Sequence, residues 1–266
     1  MEKQNKELDL LIQNNIETWN DDNIDRFLEL RQKDLRYTSF DYCYNHFYKM
    51  KKIVDLERSC AVLWSYLSSW GMLRGGAPLL NRNYYFLIPL VKYVVTCANK
   101  NEHYWEIDFP YEKNKDINSL IDIYKNIEDI LTKHPHPCSS GGFTPSKTLI
   151  TKIMLGIFAS VPAFDRYVST FFNMFSKTQG KHLKNRKVNK NSCKILNSIK
   201  EINRFPDLDV LIQEKEIKTI TFDCTNGKTL PYTKAKLIDM YCFKTGELID
   251  KNRKADKKNK TSDLAE

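Results

Sequence analysis

SSGGFTPSKTLITKIMLGIFASVPAFDRYV, Ser139 to Val168, carries more structural information than any other stretch of this 266-residue chain. Gly141-Gly142-Phe143 reads as a turn, with Thr144 as the expected N-cap and Pro145 as the first helical residue, both common start signals. Leu149, Ile150, Ile153, Met154, Ile157 and Phe158 then recur at helical spacing and predict a core-facing stripe. Pro162 pushes Val161 out of the α region and so ends the helix. Asp165 stands where an N-cap belongs, opening a second helix over Arg166 to Phe175. A buried helix, a proline loop and a second helix make this an all-α core.

Helical spacing continues on both sides. It predicts helices at Leu8 to Trp19, Ile24 to Leu30, Ser39 to Lys51, Asp55 to Ser69, Asn83 to Ala98, Ile117 to Lys133 and Ser192 to Phe205. Trp70-Gly71-Met72-Leu73-Arg74-Gly75-Gly76 interrupts the pattern with glycines. Alternation over Ile217 to Thr221 and an Asn226-Gly227 pair predict one small β-hairpin near 217–231. A last helix is expected from Tyr232 to Thr245, stopped by Gly246. The expected organisation is one helical domain over 1–250, readable as lobes 1–133 and 134–250 with a cleft between them. Residues 251–266, rich in charge and poor in apolar groups, read as a disordered tail.

At 31.3 kDa, with 41% hydrophobic and 28% charged residues, the chain can close a core without disulfide or metal staples. Its longest apolar run is broken by Pro89 and Lys92, which argues against a membrane span, and the acid-bearing N-terminus lacks the apolar region of a secretory signal. A cytoplasmic, monomeric protein is the expectation. The seven cysteines contain no CxxC and read as buried thiols. His134 and His136 are separated by proline and lack the i, i+4 spacing that favours zinc, so neither a metal nor a cofactor is expected.

The net charge of +9 is unevenly placed: Ile130 to Lys200 holds twelve Lys or Arg and a single acid, Asp165. The densest part, Lys177 to Lys194, includes Lys181, Lys184, Arg186, Lys187 and Lys190. Such a segment between helices suits a nucleic-acid backbone, here double-stranded DNA, with Arg166 adding to the surface. A lone carboxylate within a cationic region can stabilise positive charge as it builds on a bound, phosphate-bearing substrate. Lys147, near the positive end of its helix, and Lys152, expected on that helix's polar face, are candidate amine nucleophiles. Base extrusion needs aromatic and hydrogen-bonding walls, for which Trp70, Arg74 and Phe143 are the candidates.

The order of turn, helix, proline loop, Asp and helix resembles the helix-hairpin-helix superfamily of DNA glycosylases, the group that includes endonuclease III and the 8-oxoguanine glycosylases. Lys147 precedes Asp165 by eighteen positions, and Asp-Arg-Tyr-Val stands where the family has Asp-Thr-His-Val. The family's Leu-Pro-Gly-Val-Gly hairpin is replaced by Ser-Gly-Gly-Phe-Thr-Pro-Ser. The resemblance, over about 30 residues by the length of the matching stretch, implies a helical glycosylase fold, phosphate binding by the amides of Gly141 and Gly142, Lys147 as a Schiff-base nucleophile and Asp165 as the essential carboxylate. Its divergent members, the archaeal 8-oxoguanine type and bacterial glycosylases acting on modified phage DNA, imply repair or anti-phage defence. Two other readings stay open: a non-catalytic helical DNA- or RNA-binding protein in which Asp165 is only a cap, and a helical interaction protein whose basic loop meets an acidic partner.

Overall fold

The computed structural model describes residues 35–111, 114–133, 143–178, 199, 217–221 and 229–262. Among them are seven α-helices joined by loops and short 3-10 turns, with no β-strand. The helices are α1 (Ser39–Phe47), α2 (Leu56–Ser69), α3 (Ile88–Asn99), α4 (Asn114–Thr132), α5 (Lys147–Phe158), α6 (Arg166–Thr178) and α7 (Lys234–Ser262). No helix among the described residues is long and apolar enough to cross a membrane. The two helices expected before residue 35 and the basic segment of 179–198 lie outside the described residues. So does the helix expected at 192–205, apart from the buried Ile199.

α5 is the centre of the molecule, packing against α1, α2 and α4. Every residue from Leu149 to Phe158 is buried, so the apolar stripe is the widest part of a helix enclosed on all sides. Gly156 lets α2 come close: a Cβ there would lie 2.4 Å from the Tyr66 ring. The start of α5 differs by two residues from the expected one. Ser146, not Thr144, is the N-cap, its Oγ accepting from the Leu149 amide at 3.1 Å, which leaves Thr144 and Pro145 outside the helix. α2 follows its sequence signal closely, with the Asp55 carboxylate accepting from the Arg58 amide at 2.9 Å.

Two expectations from the C-terminal third are corrected, and a third is met only in part. Gly246 does not stop the last helix. It lies inside α7, where a Cβ would fall 2.0 Å from the Tyr167 carbonyl oxygen, so the glycine serves close packing of α7 on α6. The expected disordered tail is helical as far as Ser262. Successive turns are tied by Lys251–Glu247 at 3.7 Å and Lys254–Asp250 at 3.0 Å, and Arg166 of α6 also pairs with Asp250. The expected hairpin is reduced, among the described residues, to one antiparallel bridge between Lys218 and Pro231, and its Asn-Gly turn lies outside them. Side chains take the backbone groups that a longer ladder would use. The Leu230 amide donates to Thr219 Oγ1 at 2.8 Å and the Ile220 amide to Asp41 Oδ2 at 2.9 Å.

Candidate active site

The loop between α5 and α6 is held at nearly every residue. Its Phe164 amide donates to Thr151 Oγ1 at 3.0 Å, its Phe164 carbonyl accepts from Thr148 Oγ1 at 3.0 Å, and its Ala163 amide donates to Asp239 Oδ1 of α7 at 2.9 Å. These bonds fix the entry to α6, where Asp165 caps the helix as its sequence position suggests. Asp165 Oδ1 accepts from the amides of Tyr167 at 3.0 Å and Val168 at 3.1 Å. Capping uses one oxygen. The other, Oδ2, lies 3.6 Å from Lys152 Nζ.

Lys152 is therefore not on a polar helix face. Its side chain is 5% exposed, against 12% for Asp165, and Nζ donates to the Trp70 carbonyl at 2.7 Å. That carbonyl closes the C-terminal end of α2, where a helix presents unpaired oxygens and attracts a cation. Burial pushes the Lys152 pKa below the ordinary lysine value, against the opposing pull of the Asp165 and Asp239 carboxylates. Burial likewise pushes Asp165 up, while Lys152 and the two capping amides draw it down. Burial is the leading cause of both shifts, and each group's charge on the other opposes it.

Beside them lies a pocket of about 600 Å³. It brings together five residues singled out from sequence: Trp70, Arg74, Lys152, Asp165 and Arg166. The glycine break works as a turn, with Gly71 at φ +76, and a Cβ there would lie 2.6 Å from Arg74 Nε. Arg74 thus folds back across Gly71 into the pocket wall. Trp70 meets Tyr37 and Phe243 edge-on at 5.7 Å each. Three cations surround its ring, Arg36 at 5.5 Å, Lys236 at 5.6 Å and Lys152 at 5.7 Å.

Other expected site residues lie elsewhere. Phe143 is 3% exposed and packs on Phe86 with ring centroids 4.8 Å apart, with Arg82 over its ring. It is a core residue, covered by Phe86 and Arg82. Lys147 opens α5 with Nζ 4.8 Å from the Phe164 ring centroid and does not line the pocket. Helix geometry explains the exchange: the two lysines are five positions apart, more than a full turn, and Lys152 is the one facing Asp165. Gly141, Gly142, Lys181, Lys184, Arg186, Lys187 and Lys190 lie outside the described residues.

The pocket also has walls that the sequence reading missed, Arg36, Tyr167, Phe243 and Glu247 among them. Behind it lies a second buried pair, Lys236 Nζ to Asp239 Oδ2 at 3.3 Å, with Lys236 4.4 Å from the Phe40 ring. A signal existed, since Lys236 and Asp239 fall between the apolar positions Ala235, Ile238 and Cys242 of one helix. Among the described residues no three His, Cys, Asp or Glu side chains gather as a metal site would need. No family model, curated protein or solved structure matches this chain.

Proposed function

We propose that the protein is a DNA N-glycosylase that takes an extruded, damaged or modified base into this pocket and cleaves its bond to deoxyribose. The observation that carries the reading is the Asp165–Lys152 pair, 3.6 Å apart and opening on a pocket of about 600 Å³. That volume falls within the roughly 300–1,000 Å³ of small-molecule sites. Trp70, Met72, Leu79 and Phe243 offer apolar walls to a base, and Arg74 offers donors to its edge.

In the reaction the C1′–N bond breaks and its electron pair leaves on the base, which takes up a proton from solvent. The Asp165 carboxylate stabilises the cation left on the sugar. Water then completes hydrolysis. Alternatively the neutral Lys152 amine bonds to C1′ as the base leaves; one amine proton then passes by way of Asp165 to O4′ as the C1′–O4′ bond breaks, giving a protonated Schiff base that permits strand cleavage by elimination. The lowered Lys152 pKa supports the amine route, since only the neutral form attacks. A purely structural role fits less well. The buried Lys236–Asp239 pair does not line the pocket, whereas Lys152 and Asp165 both do.

The test is a screen of modified duplexes, including heavily modified phage genomes, for abasic-site formation or strand nicking. The reading expects release from at least one substrate, lost in Asp165→Asn with the fold intact by circular dichroism. DNA binding with no base release from any duplex would favour a non-catalytic binding protein.

A further inference from the structure

We propose that the outer part of this pocket is a phosphate site, in which Arg36 and Arg74 hold the phosphate of a nucleotide whose sugar and base lie inward against Trp70. This deepens the glycosylase reading and rests on it for the nucleotide's identity.

The argument is one of charge left over. Asp165 faces Lys152, Glu247 is shared between Lys244 at 3.5 Å and Lys251 at 3.7 Å, and Arg166 is joined to Asp250. Arg36 and Arg74 line the same pocket and have no carboxylate partner among the described residues. Both are held in place by other means. Arg36 stacks over the Tyr37 ring at 5.0 Å and the Trp70 ring at 5.5 Å, and its Nη2 donates to the Tyr37 hydroxyl at 3.2 Å. Arg74 lies across Gly71, whose missing Cβ makes the room. Its charge reaches inward far enough to be one of the influences depressing the Lys152 pKa.

Two positioned guanidinium forks present donors in the planar geometry that matches phosphate oxygens. Ser146 and Thr148 bring the N-terminal end of the twelve-residue α5 to the same wall, adding positive potential. A phosphate would neutralise both charges, of which that of Arg74 now bears on Lys152. The indole of Trp70 beside them gives the base or sugar a surface to lie on. Recognition of a phosphorylated sugar, and not of a free nucleoside, follows from this arrangement.

The experiment is isothermal titration of the full chain with thymidine 5′-monophosphate against thymidine, and with 2-deoxyribose 5-phosphate against 2-deoxyribose. A duplex carrying one tetrahydrofuran abasic nucleotide tells a phosphate within a polymer from a free one. The phosphorylated member of each pair should bind at least about tenfold more tightly, the scale of one charge-assisted contact. Arg36→Gln and Arg74→Gln should each remove about tenfold from the phosphorylated compounds, with thymidine binding unchanged in Arg36→Gln. Lys133→Gln, a charge change outside the pocket, should leave all affinities as they were. Equal binding of the phosphorylated and plain compounds overturns the proposal, as does full affinity in both arginine variants. Phosphate binding without base release from any modified duplex would sustain this site and sink the glycosidic reading. Base release with unaltered affinity in the arginine variants would do the reverse.

Discussion

Lys152–Asp165 and Lys236–Asp239 are the same pair of residue types, similarly buried and each with its lysine close to the Trp70 ring, yet they differ in what they border. The first spans two elements and opens on a pocket, with its side chains 5% and 12% exposed. The second sits one turn apart on α7, its lysine against Phe40 and its aspartate tied to the Ala163 amide. Burial and charge do not by themselves distinguish a reactive pair from a brace. Access does: Lys152 and Asp165 can meet a ligand, whereas Asp239 acts on the site by holding the loop that carries Asp165.

The largest effect expected of this contrast is all-or-none. In borohydride trapping on a substrate duplex, Lys152→Gln should abolish the covalent adduct and Lys147→Gln should retain it. An adduct surviving in Lys152→Gln and lost in Lys147→Gln would move the nucleophile to the start of α5. Next comes a crossed pair of aspartate variants. Asp165→Asn should lower the rate of base release by about 10²–10³-fold, the usual cost of removing one transition-state charge contact. Asn keeps the helix cap, but the change leaves the buried Lys152 without its carboxylate, so stability by urea unfolding should also fall, by up to about 3–5 kcal/mol. Asp239→Asn strands the buried Lys236 charge and should cost about 3–5 kcal/mol, with a smaller effect on release. Matching profiles for the two variants would erase the distinction between pair and brace.

Gly246→Ala tests how the brace is seated. An added methyl against the Tyr167 carbonyl should cost about 1–3 kcal/mol in overpacking, read as a lower Tm. No loss of Tm would mean that α7 does not rest on α6 as described. The smallest expected change is in titration, followed by NMR of the Lys152 side chain. Its proton should leave at a pH below the ordinary lysine range, because burial outweighs the attraction of two carboxylates. Each carboxylate opposes deprotonation, so Asp165→Asn should move the midpoint lower still. Asp239→Asn should move it in the same direction by less. An upward move in either variant would mean that the carboxylates do not face this amine.

Much of this was legible in the residues themselves. The stripe from Leu149 to Phe158 identified the central helix, the solitary acid of the basic region identified Asp165, and the glycine break placed Trp70 and Arg74 at a turn. Each is a local matter, since periodicity, capping and positive φ involve residues within a few positions of one another. What the sequence misjudged depends on which surfaces meet. Lys152 looked solvent-facing because α5 has a polar position there, but the C-terminal end of α2 and the start of α6 close over it. Phe143 looked like a pocket wall until Phe86 and Arg82 covered it. Gly246 reads as a stop until a neighbouring backbone is seen to fill the space beside it. Helix by helix, the chain determined its core and its one lone carboxylate by short-range spacing. Only tertiary packing decided which lysine faces that carboxylate and which aspartate, seventy-six positions from the amide it holds, steadies it, because sequence spacing carries no record of distances across a fold.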